Sequence, residues 1–153
     1  RKKCTCSQGQ IKNYLGRISK PLLDRIDIFT ETIILKYGEI SNSDKGENSY
    51  DVRKRIEKVH HIQKERYKND GILFNSELSA GMIKRYCVMD NEAKEYLENI
   101  FENMEFSARA YHKVLKTART IADMDESGEI KRKHISEAVC YRTADKKYWG
   151  VTM

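Results

Sequence analysis

Apolar residues recur at the three- and four-residue spacing of amphipathic helices through most of this 153-residue chain. Ile11 and Ile18 bound one such pattern, which predicts helix within residues 7–24, and Pro21 predicts that a second, short helix starts there. From residue 49 onward, the same spacing predicts a bundle of about five helices. The expected ranges are 51–67, a short helix near 79–86, one beginning after Asp90, one from Ser107 to about Met124, and 130–141.

The segment from Ile26 to Leu35 departs from this pattern. Its residues, Ile-Asp-Ile-Phe-Thr-Glu-Thr-Ile-Ile-Leu, are mostly β-branched or apolar and predict a strand. A single strand is not stable in water, so this one would belong to a sheet that lies mostly outside the chain. We therefore expect a mainly α fold with three parts. These are a remnant helix and strand of an α/β core over 1–37, a polar linker over 38–48 and a helical bundle over 49–153.

Composition and charge narrow the class of protein. Charged residues make up 34% and hydrophobic residues 39% of the chain, which is typical of a globular domain with a large solvated surface. No apolar run approaches the roughly 20 residues that span a bilayer, and no secretory signal is present, so the expected location is the cytoplasm, away from membranes. The chain begins with Arg1 and not with methionine, and we expect it to be a piece of a longer protein. The formal net charge of +6 favours a polyanionic partner, nucleotide or nucleic acid.

The four cysteines fall into two groups. Cys87 and Cys140 lie within apolar patterns and are expected to be small buried residues. Cys4 and Cys6 form a Cys-x-Cys pair beside basic residues, which is half of a tetrahedral zinc site. Zinc binding would need two further ligands from outside this chain.

Arg25 follows Pro-Leu-Leu-Asp and stands directly before the predicted strand, which places it at the rim of a folded unit. Its planar, always-charged donors suit the oxygens of a phosphoryl group on another molecule. Such an arginine can act as an arginine finger, with which one subunit completes the site of its neighbour. The alternative is a surface salt bridge with Asp24 or Asp27.

The helix expected after Ser107 carries a cationic stripe. At 100° per residue, Arg109, Lys113 and Lys116 share one narrow face, opposite an apolar face that would dock onto the bundle. Arg109 falls in the first turn, where a cation opposes the helix dipole, and a bound anion would offset that repulsion. The alternative is an ordinary solvated, lysine-rich face.

The other motifs in the sequence do not indicate a metal site or a catalytic site. The run from Asp123 to Ile130 resembles the start of a calcium-binding loop, but His134 stands where the bidentate glutamate belongs, so a tight turn between helices is the better interpretation. The four histidines are isolated from other ligands and are interpreted as surface residues. No Gly-x-x-x-x-Gly-Lys-Ser/Thr phosphate loop occurs in the chain.

Several specific strings occur together in this chain. They include Cys-Thr-Cys-Ser, Tyr-Leu-Gly-Arg-Ile-Ser-Lys-Pro-Leu-Leu-Asp-Arg, Asn-Ser-Glu-Leu, Phe-Ser-Ala-Arg-Ala-Tyr-His-Lys-Val-Leu-Lys-Thr-Ala-Arg-Thr-Ile-Ala-Asp, and His-Ile-Ser-Glu-Ala-Val followed by Tyr-Arg. From Cys4 to about Trp149 the chain thereby resembles the C-terminal part of the magnesium-chelatase-like AAA+ ATPases, specifically the ComM/YifB competence protein family. Lys20 departs from the family, which usually has glycine there.

The resemblance implies that residues 1–37 are the tail of an AAA+ α/β core and that residues 49–153 are its helical lid. It places Arg25 at the arginine finger, acting in trans on the neighbour's nucleotide, and Arg109 at the sensor-2 position, acting in cis on its own. It gives a supporting role at the nucleotide to Lys113, Lys116 and Arg119. Without the Walker motifs, the fragment is expected to be inactive alone.

The implied function is that of an ATP- and Mg²⁺-dependent ring motor, a hexamer in which each subunit hydrolyses ATP. ComM-like proteins imply DNA as the partner and helicase-type branch migration as the output. A chelatase-like or unfoldase subunit that remodels a protein partner is the alternative. A helical module that binds DNA or a partner without nucleotide is a third interpretation.

Overall fold

The computed structural model describes residues 4–35, 37–38, 46–104 and 106–149. Two short helices come first, α1 over Gln8–Leu15 and α2 over Lys20–Leu23. Ser7 caps α1 in a capping box with Gln10, and Pro21 lies in the first turn of α2, where its missing N–H leaves no bond unmade. Both predicted N-terminal helices are therefore confirmed.

The rest of the described chain is a helical bundle. Its elements are α3 over Ser49–Tyr67, a 3₁₀ turn over Asn75–Glu77, α4 over Ala80–Tyr86, α5 over Asn91–Asn103, α6 over Ala108–Met124 and α7 over Arg132–Trp149. Four of these helices begin where a side-chain oxygen accepts a backbone N–H of the first turn. The capping residues are Asn48, Ser79, Asp90 and Ser107. The mainly α fold class is confirmed.

Helix α6 lies at the centre of the bundle and packs against α3, the 3₁₀ turn, α4 and α7. Its inner face is mostly small or apolar, and Ala110, Val114, Ala118 and Ala122 are buried. Alanine lets neighbouring helices approach closely, so α6 is enclosed along most of its length. The predicted apolar face is confirmed.

A buried polar network ties α6 to α3 and to the 3₁₀ turn. The Asp123 carboxylate accepts hydrogen bonds from Arg66 Nη1 at 2.8 Å, Asn75 Nδ2 at 2.9 Å and Arg119 Nε at 3.1 Å. Arg119 is buried and also donates to the carbonyl oxygens of the turn that follows α6. A buried carboxylate is tolerated here because several donors surround it.

The turn between α6 and α7 is tight, as predicted for the calcium-like run. Glu126 has a φ of 53°, and the N–H of Ser127 donates to the carbonyl oxygen of Ala122 at 2.8 Å, which closes the end of α6. His134 is not an isolated surface residue, which corrects the sequence interpretation. It is buried, its Nδ1 accepts the N–H of Lys131 at 2.9 Å, and its Nε2 lies 3.1 Å from Asp125 Oδ2.

The strand predicted over residues 26–35 is not formed. That segment has neither helix nor strand, and the β pairing found in the described residues is one isolated parallel bridge between Met89 and Ile130. A strand needs a partner, and this segment packs on helices instead: the N–H of Phe29 donates to Tyr141 O on α7 at 2.9 Å. Most of the expected linker, residues 39–45, lies outside the described residues.

The start and the end of the described chain meet. Trp149 Nε1, at the end of α7, donates to the carbonyl oxygen of Leu15 at 3.0 Å, and the Trp149 ring lies 6.5 Å from that of Phe29. α1, the segment after α2 and α7 therefore form one packed unit.

Across the described part of the chain, none of the helices combines the length and the apolar character needed to cross a lipid bilayer.

Candidate functional site

An open cleft of about 560 Å³ lies between Arg25, the second residue after α2, and the first half of α6. We call it the arginine cleft, and its lining residues are Arg25, Ala108, Arg109, His112, Lys113 and Lys116. None of these residues is acidic, while four of them are always or usually cationic. A concave, cationic surface favours an anionic ligand.

Arg109 lies at the rim of the cleft on the first turn of α6, and it is exposed. No acidic residue shares that turn. Within the part of the chain that the structure describes, neither a carboxylate nor a carbonyl oxygen pairs with its guanidinium. A cation there is repelled by the partial positive charge of the helix N-terminus, and an anion in the cleft would relieve that repulsion.

Arg25 is exposed and also lines the cleft. Its Nη1 donates to the carbonyl oxygen of Pro21 at 3.2 Å, which leaves most of its donors directed to solvent. The salt bridge expected as an alternative is not formed in the described residues. Asp24 lies 3.9 Å from Arg142, and Asp27 pairs with Lys113 at 2.6 Å.

The two lysines of the cleft are held by the protein. Lys113 Nζ donates to the carbonyl oxygen of Arg25 at 2.5 Å as well as to Asp27, and its side chain is only 15% exposed. Lys116 Nζ donates to the carbonyl oxygen of Ser76 at 2.8 Å. Both add positive charge to the cleft, but their ammonium groups already have partners, so the two arginines are the better ligands for an anion.

Three of the predicted site residues lie elsewhere. Arg119 is 1% exposed, and its guanidinium is bound to Asp123 and the following turn, so the structure does not bring it to the arginine cleft. Cys4 and Cys6 are exposed near the start of the chain and do not line the cleft.

Cys4 and Cys6 contact each other. Hydrogen bonds from the backbone and then the side chain of Cys6 lower the pKa of Cys4, and the same side-chain hydrogen bond raises the pKa of Cys6. Across the described residues, no three His, Cys, Asp or Glu side chains come close enough together to hold a metal ion. Two thiols supply half of the ligands of a structural zinc site, so the residues present do not fit zinc alone.

One histidine and one cysteine lie in surroundings that differ from those predicted from the sequence. His112 lines the cleft, although it was interpreted as an isolated surface residue; its position one turn after Arg109 was the available signal. Cys140 is exposed rather than buried, because it falls on the outer face of α7 next to buried Val139.

Comparison with known proteins gives two family matches. Residues 46–142 match the family model described as magnesium chelatase, subunit ChlI C-terminal, and residues 1–40 match the one described as magnesium chelatase, subunit ChlI. The first match covers α3 to α7 up to Arg142, and the second includes Arg25.

Curated relatives are similar over nearly the whole chain. The chain is 39% identical over 137 residues to the competence protein ComM of Haemophilus influenzae, which is 89% of this chain and 26% of that protein. It is 37% identical over 142 residues to the uncharacterized protein YifB of Salmonella typhimurium, 92% of this chain and 27% of that protein. It is 35% identical over 142 residues to the uncharacterized protein YifB of Escherichia coli. The chain spans about a quarter of the length of these relatives.

Proposed function

Because this chain belongs to the magnesium-chelatase-like ComM/YifB family, we propose that it is part of an AAA+ ring motor that hydrolyses ATP. Residues 1–37 would be the tail of the motor's α/β core, and residues 49–153 its helical lid. One observation carries the proposal: Arg25 and Arg109 line the same cleft, and none of the other described residues that line it is acidic. In this role the two guanidinium groups bind oxygens of the transferring phosphoryl group and stabilise the charge that develops there.

The shared cleft revises one expectation. The resemblance assigned Arg25 to the neighbour's nucleotide and Arg109 to the nucleotide of its own subunit. Since both side chains line one cleft of about 560 Å³, a single phosphate chain can contact both. We therefore assign both arginines to the same nucleotide, the one held by the neighbouring subunit.

The remaining parts of an ATP site must come from other residues. Among the described residues that line the arginine cleft there is no carboxylate for Mg²⁺, and the sequence has no phosphate loop to bind a triphosphate. The cleft thus fits the outer oxygens of a nucleotide whose Mg²⁺ and phosphate loop are supplied across a subunit interface. His112 and Lys116 would add positive charge to the arginine cleft.

The assignment is tested by subunit mixing in the full-length protein. Arg25→Ala and Arg109→Ala should each lower kcat for ATP about 10²–10³-fold with little change in nucleotide affinity. Neither variant alone can then complete a site.

Mixed rings of the two variants distinguish the possible arrangements. If both arginines serve one nucleotide, every mixed interface still lacks one of them, and activity is not restored. If one acts in trans and the other in cis, some interfaces regain both, and mixing restores turnover. Mixing Arg25→Ala with a subunit inactivated in its phosphate loop is the positive control, because restoration is expected there. Unchanged turnover in both single variants would refute the phosphate role of the cleft.

We propose DNA as the substrate on which the motor acts, with ATP hydrolysis driving branch migration in a hexameric ring. The similarity to a protein named for competence and the net charge of +6 support this output. The family model named for magnesium chelatase supports the alternative, a motor that remodels a protein partner. Turnover that rises with added branched DNA would favour DNA, and turnover indifferent to any DNA would favour the protein partner.

A further inference from the structure

The backbone that carries Arg25 is held by two helices of the bundle. Lys113 Nζ, on α6, donates to the carbonyl oxygen of Arg25 at 2.5 Å. Arg142 Nη1, on α7, donates to the carbonyl oxygen of the next residue, Ile26, also at 2.5 Å. Two consecutive carbonyl groups are thus each capped by a cation from a different helix, 88 and 116 residues further along the chain.

Side chains reinforce these contacts. Lys113 also pairs with Asp27 at 2.6 Å, and the guanidinium of Arg142 lies 5.2 Å from the centre of the Phe29 ring. Arg142 is 2% exposed, so its hydrogen bond to the backbone is shielded from water. Charge-assisted hydrogen bonds of this kind are stronger than neutral ones and have defined geometry.

These contacts attach the chain around Arg25 to the bundle, where residues 26–35 form neither helix nor strand. The N–H groups of Arg25 and Ile26 donate to carbonyl oxygens of α2 at 2.9 Å and 3.1 Å, so Arg25 continues the turn of that short helix, and its side chain is exposed. The contacts from α6 and α7 then hold this turn against the bundle. A residue that places a catalytic group can affect turnover strongly without touching the substrate, since a displacement of about 1 Å can lower the rate about a hundredfold.

We propose that Lys113 and Arg142 are positioning residues that hold Arg25 at its place in the arginine cleft. The inference rests on the proposed function, and it reassigns Lys113: its ammonium acts through Arg25 rather than on the nucleotide. Since α6 also carries Arg109, one rigid pair of helices places both arginines. A movement of α6 and α7 therefore displaces both guanidinium groups together and changes catalysis at the neighbouring subunit.

The test compares three single variants of the full-length protein. Lys113→Met removes the ammonium but keeps the length of the side chain, and Asp27→Asn weakens the same contact at a side chain that is 70% exposed, where loss of folding is not expected. Each should lower kcat for ATP about tenfold and leave KM unchanged, because the finger acts on the transition state. Lys58→Met is the matched control: it removes a lysine–carboxylate pair of 2.5 Å, with Glu126, that is remote from the cleft lining.

A double variant separates positioning from a general structural role. If Lys113 acts through Arg25, adding Lys113→Met to Arg25→Ala should lower kcat no further. The inference is overturned if Lys113→Met and Asp27→Asn leave kcat unchanged while Arg25→Ala lowers it. It is overturned equally if Lys113→Met lowers kcat about tenfold in both backgrounds. Unchanged turnover in Arg25→Ala alone would instead refute the proposed function, and this inference with it.

Discussion

Arg119 and Asp123 form an ion pair of 3.0 Å one turn apart on α6, and both side chains are almost completely buried. Arg66 joins them from α3 through two hydrogen bonds to the same carboxylate. Asp123 is therefore the single anion between two guanidinium groups in the centre of the bundle. This pair fixes the helix that carries the cleft residues, although it takes no part in the cleft.

Replacement of Asp123 by alanine should destabilise the chain severely. It would leave the buried guanidinium group of Arg119 and the part-buried one of Arg66 without their carboxylate, and a buried pair that loses one partner costs about 3–5 kcal/mol. Urea denaturation followed by circular dichroism measures the loss. Glu126→Ala, which breaks the exposed pair with Lys58, should cost less than about 1 kcal/mol. Equal losses in the two variants would contradict the role assigned to the network.

Replacement of Arg109 should affect stability and activity in opposite directions. Arg109→Gln removes a cation from the first turn of α6 and should raise the free energy of unfolding by about 0.3–1 kcal/mol at low salt, with the gain fading as salt is added. In the full-length protein the same change should lower kcat strongly. A matched control is Arg132→Gln on α7, which breaks the exposed pair with Glu92 and should leave turnover unchanged. A stability loss in Arg109→Gln would mean that the guanidinium already has a partner in the folded chain.

Cys87 should resist thiol reagents in the folded chain. Burial raises the pKa of its thiol to about 11, so at pH 8 only about one thiol in a thousand is ionised, and its side chain is enclosed by the core. Mass spectrometry after alkylation should show rapid modification at Cys4, Cys6 and Cys140, which are exposed, and slow modification at Cys87. In urea all four should react alike. Rapid labelling of Cys87 without denaturant would show that the core around it opens readily.

Acid should weaken the turn between α6 and α7. The Lys133 ammonium and then the His134 ring hydrogen-bond to Asp125 and lower the pKa of its carboxyl. A lowered pKa means that the stabilisation is complete above the ordinary pKa of an aspartate, about 3.9, and is lost as the pH falls through the lower value in the folded chain. The difference in unfolding free energy between the parent chain and Asp125→Asn should be present at about pH 5 and shrink below about pH 4. A difference that stays constant down to pH 2.5 would contradict this account.

Local signals in the sequence predicted the helices well. Ser107 and Asp90 cap α6 and α5 as expected, because a cap depends on residues within one turn. The prediction of a strand over 26–35 was wrong for the opposite reason. The segment has the apolar composition of a strand, but strand formation depends on partners far away in the sequence. Here the segment bonds to α7 instead, because Ile26 O accepts from Arg142 and the N–H of Phe29 donates to Tyr141 O.

The site was predicted in part. Arg25 and Arg109 were singled out by position, and the structure brings them to one cleft, which no local pattern could show. Arg119 was grouped with them because the family resemblance implied a supporting role for it. Ten residues of helix turn it about 80° away from Arg109, and this angle, with Asp123 four residues later, indicates a core ion pair rather than a ligand.

The contact between Trp149 and Leu15 has a practical consequence for how the protein is divided in the laboratory. A polypeptide trimmed to the matched range 46–142 would keep the hydrophobic core but would lack Leu15, Trp149 and Arg25. Such a polypeptide cannot be used to test the role of Arg25 in catalysis, even if it folds. A polypeptide made for experiments should therefore include both Leu15 and Trp149, because the two ends of the chain stabilise each other.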